Sequence, residues 1–564
     1  MDSRLRVGLG VTLVAMSFAI LGACSGGSSS NPPASGDAGN DVTGGEDAPG
    51  DAADAKSDGA ADAKADGPAD AGIDAPPPPS GSLLALDPGP FLLGMTSDGF
   101  AVYYASDNTL YAVDASGRDS GAPIRIAQSQ PTGGDYFDAV VVGPVVFFWP
   151  NLPTGQASPG SLFVWSHATG VHPIPGVTVG GFAAVSGDGS KIVYGAMASG
   201  TATSGDITVA GTDGSNPTVL ESQVPLDSQC VPQVSFVGAS QADALVAYCA
   251  ASDAGTKSAT LDAFQGASWT KTTLASGLKP SNPNLITAPL GAAPLQGNIY
   301  VVDPSSTNIL TTATANEAVA ITYPAGVSSN LESAAAMPVC FAGSGGAVDA
   351  VYATLAGAVH ASTFPAGTPS TLVSSGATYV YGDTSPDGKW GIYATTGSMT
   401  TDLTLFATSL PATTKKVVTT PDALLAGGSG ASSIFTGDSS HLIWDDGLTQ
   451  VVGGLGTWTT THAYDLATGI SATVADKVWS HESVGSGTTV VYNDNTTLLS
   501  VAVGSGLVAD IKVVDVAASP LAPKLVQADV DANFLVTPDQ KTVVYAYTQG
   551  AGAGVNGVYA VPLP

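Results

Sequence analysis

The chain has 564 residues and a formal net charge of −30, yet only 11% of its residues are charged. That balance excludes binders of nucleic acid and of anionic lipid headgroups, which need clustered Lys and Arg. The 69 glycines and 38 prolines favour strands and turns over helices, and the length suits roughly two to four average domains or one large all-β domain.

Arg4 and Arg6 precede an apolar run over residues 7–21 that is short for a membrane span. The run closes on Leu21-Gly22-Ala23-Cys24, with a cysteine where a signal peptidase would cut. This string resembles the lipobox of bacterial lipoproteins, and Cys24 matches the lipidated cysteine of that family. The resemblance implies removal of residues 1–23, a diacylglyceryl thioether on Cys24 and often acylation of the new N-terminus. Two or more acyl chains anchor stably where one does not. Ser25, in place of Asp, implies sorting to the outer membrane. An ordinary secretory signal with an incidental cysteine is the alternative.

Residues 24–82 form the next unit. Eleven acids stand against Lys56 and Lys64, interleaved with Ala and Gly, and residues 76–79 are all proline. With almost no aromatic or branched apolar residues, the tract cannot bury enough surface to offset chain entropy and is expected to be disordered. About 55 flexible residues reach roughly 40 Å, so it reads as a tether.

From residue 83 onward one turn motif recurs: Thr96-Ser97-Asp98-Gly99, Ser186-Gly187-Asp188-Gly189, Ser385-Pro386-Asp387-Gly388, Thr436-Gly437-Asp438-Ser439 and Thr537-Pro538-Asp539-Gln540. Each precedes a β-rich run, such as Lys191-Ile192-Val193-Tyr194, and a second strand follows, such as Leu110-Tyr111-Ala112-Val113-Asp114. The hydroxyl residue and Asp bond the backbone, Pro presets φ, and Gly accepts positive φ. Successive motif aspartates lie 90, 199, 51 and 101 residues apart, multiples of one period. That period, roughly 45–50 residues of four strands, is the signature of propeller blades.

Ser385-Pro386-Asp387-Gly388-Lys389, with its later Tyr-x-x-Asp strand, resembles the TolB-type (PD40, WD40-like) propeller repeat. The expected fold is all-β: a β-propeller of four-stranded blades, about 8–10 repeat units over residues 83–564, closed by an N-terminal strand and preceded by a disordered linker. The last unit lacks a fourth strand, and Gly81–Leu86 is a spare one that could complete it. The stretch Pro280–Gly326 is the least blade-like.

Four cysteines occur. Beyond Cys24, Cys230 and Cys249 flank an expected hairpin that turns near Ser240. They are a possible disulfide in an oxidising compartment, with two buried thiols as the alternative. Cys340 reads as a core thiol. His167 and His172 read as a solvated loop pair rather than metal ligands. Asp529-Val530-Asp531-Ala532-Asn533 spaces three oxygen ligands like a calcium loop but lacks its glycine and bidentate acid. No G-x-S-x-G elbow, Walker loop or HExxH motif is present.

The chain is therefore expected not to be an enzyme, with no catalytic, metal-binding or cofactor residues and no cofactor. The expected function is that of an envelope lipoprotein, anchored by lipid in the outer membrane, periplasmic or surface-facing. Its propeller would be a non-catalytic module for a protein or glycan partner, with no nucleic acid. The alternative is a propeller glycoside hydrolase or lyase acting on polysaccharide through channel carboxylates.

Overall fold

The computed structural model describes residues 79–564 apart from segments between or beside strands, the longest being 279–297 and 418–434. Residues 1–78, with Cys24 and the segment expected to be a signal, lie outside the described residues. The protein is all-β. Among the described residues ten sheets follow one another along the chain, nine with four strands and one with three. None closes on itself into a barrel. In chain order they cover residues 91–127, 136–173, 183–225, 233–278, 298–332, 336–373, 377–417, 441–478, 481–531 and 534–562. No helix among the described residues is long and apolar enough to cross a membrane, which does not bear on spanning by strands.

Within a sheet the strands run up and down, and burial falls from the second strand outward. Phe100–Tyr104, second in the first sheet, is buried at all five residues. Thr218–Pro225, fourth in the third sheet, is exposed at four of its eight residues and buried at one. Runs of Val, Ile and aromatic residues suit the second strand because both of its faces meet a neighbouring sheet. First strands of successive sheets touch: Phe91–Met95 packs on Tyr136–Val142, Ala183–Val185 on Gln233–Val237, and Ala336–Ser344 on Ala377–Thr384. First strands are thus the inner ones and fourth strands the outer ones, as in a β-propeller.

The core is divided among the seams between sheets. Phe147, Val164, Ile192 and Tyr194 fill the seam of sheets two and three. Ile443, Ala463, Val490 and Tyr492 fill that of eight and nine. Each such side chain, fully buried, contributes roughly 1.5–3 kcal/mol, so the seams outweigh any single turn contact. The tenth sheet packs on the first through Ala101, Tyr103, Val544 and Val558.

The tenth sheet holds both ends of the described chain. Its order runs from Phe534–Val536 inside, through Thr542–Tyr547 and Gly557–Pro562, to Ser82–Leu86 outside. The N-terminal strand pairs antiparallel with the last one, Leu83 facing Tyr559 and Leu86 facing Gly557. A side chain at Gly557 would collide with the Ala85 carbonyl, so only glycine permits this approach. Further contacts fasten the strand. Asp87 N donates to Asn556 O (3.2 Å) and Asn556 Nδ2 to Pro88 O (3.1 Å). Ser80 N donates to Gln527 Oε1 (2.7 Å), and Tyr545 OH donates to Ser80 O.

Two sheets depart from the pattern. In the fifth, Asn298–Val302 lies parallel to Ala318–Thr322, within the stretch whose sequence lost the repeat. The intervening strand Thr311–Ala313 pairs antiparallel with the other edge of Asn298–Val302, so the third strand in sequence lies beside the first. In the eighth, three strands are described, and an isolated bridge joins Phe435 to Leu442 on the inner side.

Candidate functional site

The recurring turns join the first strand of a sheet to the second. Ser186 Oγ, Ser385 Oγ, Thr436 Oγ1 and Thr537 Oγ1 each donate to the motif aspartate at 2.6–2.7 Å. Each of those hydroxyls also accepts the backbone N–H five residues on, at 2.9–3.1 Å. The aspartate in turn accepts the N–H two residues ahead, as in Lys389 N to Asp387 Oδ1 (3.1 Å). Burial opposes the charge of Asp188, Asp387 and Asp438, but these hydrogen bonds outweigh it and hold their carboxyls below the ordinary aspartate value. Neighbouring turns are tied together: Asp387 N donates to Ser439 Oγ (3.0 Å), and Gly437 N to Ser483 Oγ (3.1 Å). The turn aspartates are structural.

The unusual chemistry lies where sheets eight, nine and ten meet. In the second strands of seven sheets the fourth residue is aromatic: Tyr103, Phe148, Tyr194, Tyr393, Trp444, Tyr492 and Tyr545. The next residue is Tyr104, Trp149, Gly195, Ala394 or Ala546 in five of these, but Asp445 and Asn493 in sheets eight and nine. Asn493 is fully used: its Oδ1 accepts from Trp479 N (2.7 Å), and its Nδ2 donates to Ala532 O (2.6 Å). It pins the connections on either side of sheet nine.

Asp445 is buried and accepts from Thr461 Oγ1 at 2.6 Å. Its other oxygen lies 3.5 Å from Nε2 of His481, which is buried and has no hydrogen-bond partner at either ring nitrogen. On the opposite face of the same strand, His462 stacks on Trp444 (4.2 Å between centroids) and sets Nε2 3.0 Å from Asp446.

Glu482 follows His481 on the inner strand His481–Val484 and points to the other side. Its register partner Val491 and its second neighbour Val484 both pack in the seam with sheet ten, beside Val536, Val543 and Tyr545. Glu482 is half-buried in this apolar seam, and desolvation pushes its carboxyl up to about 7.

Other polar clusters join neighbouring sheets near the rim. Lys271 Nζ donates to Glu221 (2.5 Å) and Tyr248 OH (2.8 Å), and lies 3.1 Å from the fully buried Asp262. Burial opposes the Lys271 charge, but these partners outweigh it and raise the ammonium above the ordinary lysine value. Tyr323 OH donates to Asp243 (2.7 Å), joining sheets four and five. Lys512 pairs with Asp494 at 2.7 Å. Among the described residues no group of three or more His, Cys, Asp or Glu side chains is placed to hold a metal.

Of the residues read from sequence, Cys24 and Cys230 lie outside the described residues. Cys249 is disulfide-bonded, in the strand Asp243–Ala250 that pairs with Gln233–Val237. Cys340 stands opposite Val351 in sheet six. His167 stacks on Phe100, and His172 Nε2 bonds Thr169 O. Asp531 accepts from Asn533 N (3.1 Å) and Asp510 from Asp529 N (3.2 Å), so those residues shape a turn and a strand bulge. Sequence reasoning missed Glu482 and the Asp445–His481 couple. For Asp445 the signal available was an acid at a repeat position filled by Asn493 in sheet nine and by small or aromatic residues in five other sheets.

No protein-family model matches the chain, and no curated protein matches it. Solved structures match at low identity. Tricorn protease matches at 10% identity and TM-score 0.25, over 85% of this chain and 52% of that one, so the chain spans about half of it. An oligogalacturonate lyase in complex with manganese matches at 11% and 0.32, over 86% and 98%. A putative TolB from Agrobacterium tumefaciens matches at 10% and 0.23, over 52% and 94%. The likeness concerns fold alone, and the propeller assignment rests on the sheet order above. One expectation is corrected here. The chain was expected not to be an enzyme, yet a protease and a lyase are among its structural neighbours, and a missing nucleophile motif does not exclude catalysis in such a chain.

Proposed function

We propose that this protein is an outer-membrane lipoprotein, anchored through acylated Cys24, whose β-propeller forms one ring of ten blades and binds a protein or glycan partner. One observation carries the reading. A lipobox-like string is followed by an acidic tract of Ala, Asp and Gly, which leads directly into the strand that completes the tenth sheet. Such an order suits a domain held off a membrane and available to a partner. The test is crosslinking of the full-length protein in intact envelopes, followed by capture. One reproducible partner, absent when Cys24→Ala releases the protein, is expected. Capture of nothing above background by the anchored protein would contradict the reading. Turnover of a polysaccharide by the same protein would favour the hydrolase or lyase reading.

A further inference from the structure

We propose that the inner edge of the seam between sheets nine and ten recognises a cationic side chain, Lys or Arg, of a protein partner, with Glu482 as the anionic half of the contact. The inference rests on the interaction-module reading and names the chemistry of its site. Glu482 lies on an inner strand, half-buried, on the face that carries Val484 and Val491 against Val536 and Val543 of sheet ten. Other carboxylates withdrawn from water in this region have partners: Asp494 has Lys512, Asp446 has His462, and Asp445 has Thr461. Among the described residues no cation pairs with Glu482.

Tyr545, Tyr547 and Tyr559 share its seam, all raised by burial and so uncharged, with Asp529 acting on Tyr547. His481, on the same strand, faces sheet eight instead. A carboxylate on an apolar wall is half of an ion pair, and a partner's ammonium or guanidinium completes it at a site where water screens little. The net charge of −30 attracts such a group and repels an anion. The raised titration of the free carboxyl agrees with this, because desolvation acts on it unopposed.

The test uses the full-length protein in detergent, with N-acetyl-lysine methylamide and N-acetyl-arginine methylamide as probes and N-acetyl-norleucine methylamide as control. Binding is followed by NMR titration at pH 8 and pH 5.5. The cationic probes should bind at pH 8 and weaken about tenfold or more at pH 5.5, where the carboxyl is protonated. The norleucine control should not bind. Glu482→Gln should abolish cation binding while the thermal midpoint shows a folded protein. If that variant does not fold, the pH dependence in the wild type decides. Equal binding by E482Q and wild type, or no cation binding at pH 8, overturns the proposal. A partner captured from envelopes equally by E482Q and wild type would overturn this site while leaving the interaction reading standing.

Discussion

Two kinds of carboxylate in this protein respond to pH with opposite sign. Asp387 is held below its ordinary value of 3.8, where hydrogen bonds from Ser385 and Lys389 outweigh burial. Its contribution is present above the unfolded value and is lost as pH falls through the folded one. Glu482 is held above its ordinary 4.5, at about 7, by burial. It therefore costs stability above pH 7, and the cost fades as pH falls toward 4.5. Replacing Asp387 by Ala should lower stability at pH 7 by about 0.5–2 kcal/mol, the range of a lost capping contact. Replacing Glu482 by Gln should raise stability at pH 8 by about 1–3 kcal/mol and leave it unchanged near pH 4. Denaturant titrations at the two pH values check both; a Gln variant no more stable at pH 8 than wild type would count against an uncompensated charge.

Among the strands and turns, the closing strand is the most exposed to test. Deleting residues 81–88 should lower the thermal midpoint of the whole domain, because the edge of Gly557–Pro562 then loses its ladder. Gly557→Val should act in the same direction, since its side chain would strike the Ala85 carbonyl. Equal midpoints for the wild type and both variants would show that the strand is not needed for closure. The Cys249 disulfide makes a separate prediction. Peptide mapping without reductant should recover Cys249 linked to Cys230, and Cys249→Ser should cost about 2–4 kcal/mol. Recovery of Cys340 in that link instead would reject the pairing.

These elements also show how far the sequence could be read. The turns announce themselves because hydroxyl, Asp and Gly act locally, each bonding a backbone group within five residues. The Leu83–Leu86 pairing could be inferred from an unfilled edge. The parallel pair in sheet five could be marked only as a lapse in the repeat, since register set by long-range packing leaves no local trace. Glu482 is one of several ordinary-looking glutamates until Val491 and sheet ten surround it. Desolvation is a property of neighbours distant in sequence, and the strand His481–Val484 carries no motif that announces it.

For the whole molecule, the anchor is the first question. Cys24→Ala should leave the protein uncleaved or move it to the aqueous phase in detergent partitioning, because the acyl chains supply the attachment. Equal membrane retention of variant and wild type would reject lipidation. If the anchor is real, the closing strand acquires a mechanical meaning. Any tension on the tether enters the domain at Ser80, which is held to Gln527 of sheet nine and to Tyr545, and then passes along Ser82–Leu86. Direction then matters. Ser82 sits opposite Ala560, near the chain's C-terminus, so pulling the two termini apart loads that ladder one bond at a time, like a zipper. A load applied along the strand, toward the Leu86 end, would shear all its bonds together. Single-molecule extension should therefore show a low rupture force between the termini. A markedly higher force should appear when the grip is moved to the connection Ala105–Thr109, which lies beyond the Leu86 end of the strand, where Ser106 N donates to Asp87 Oδ1 (3.0 Å).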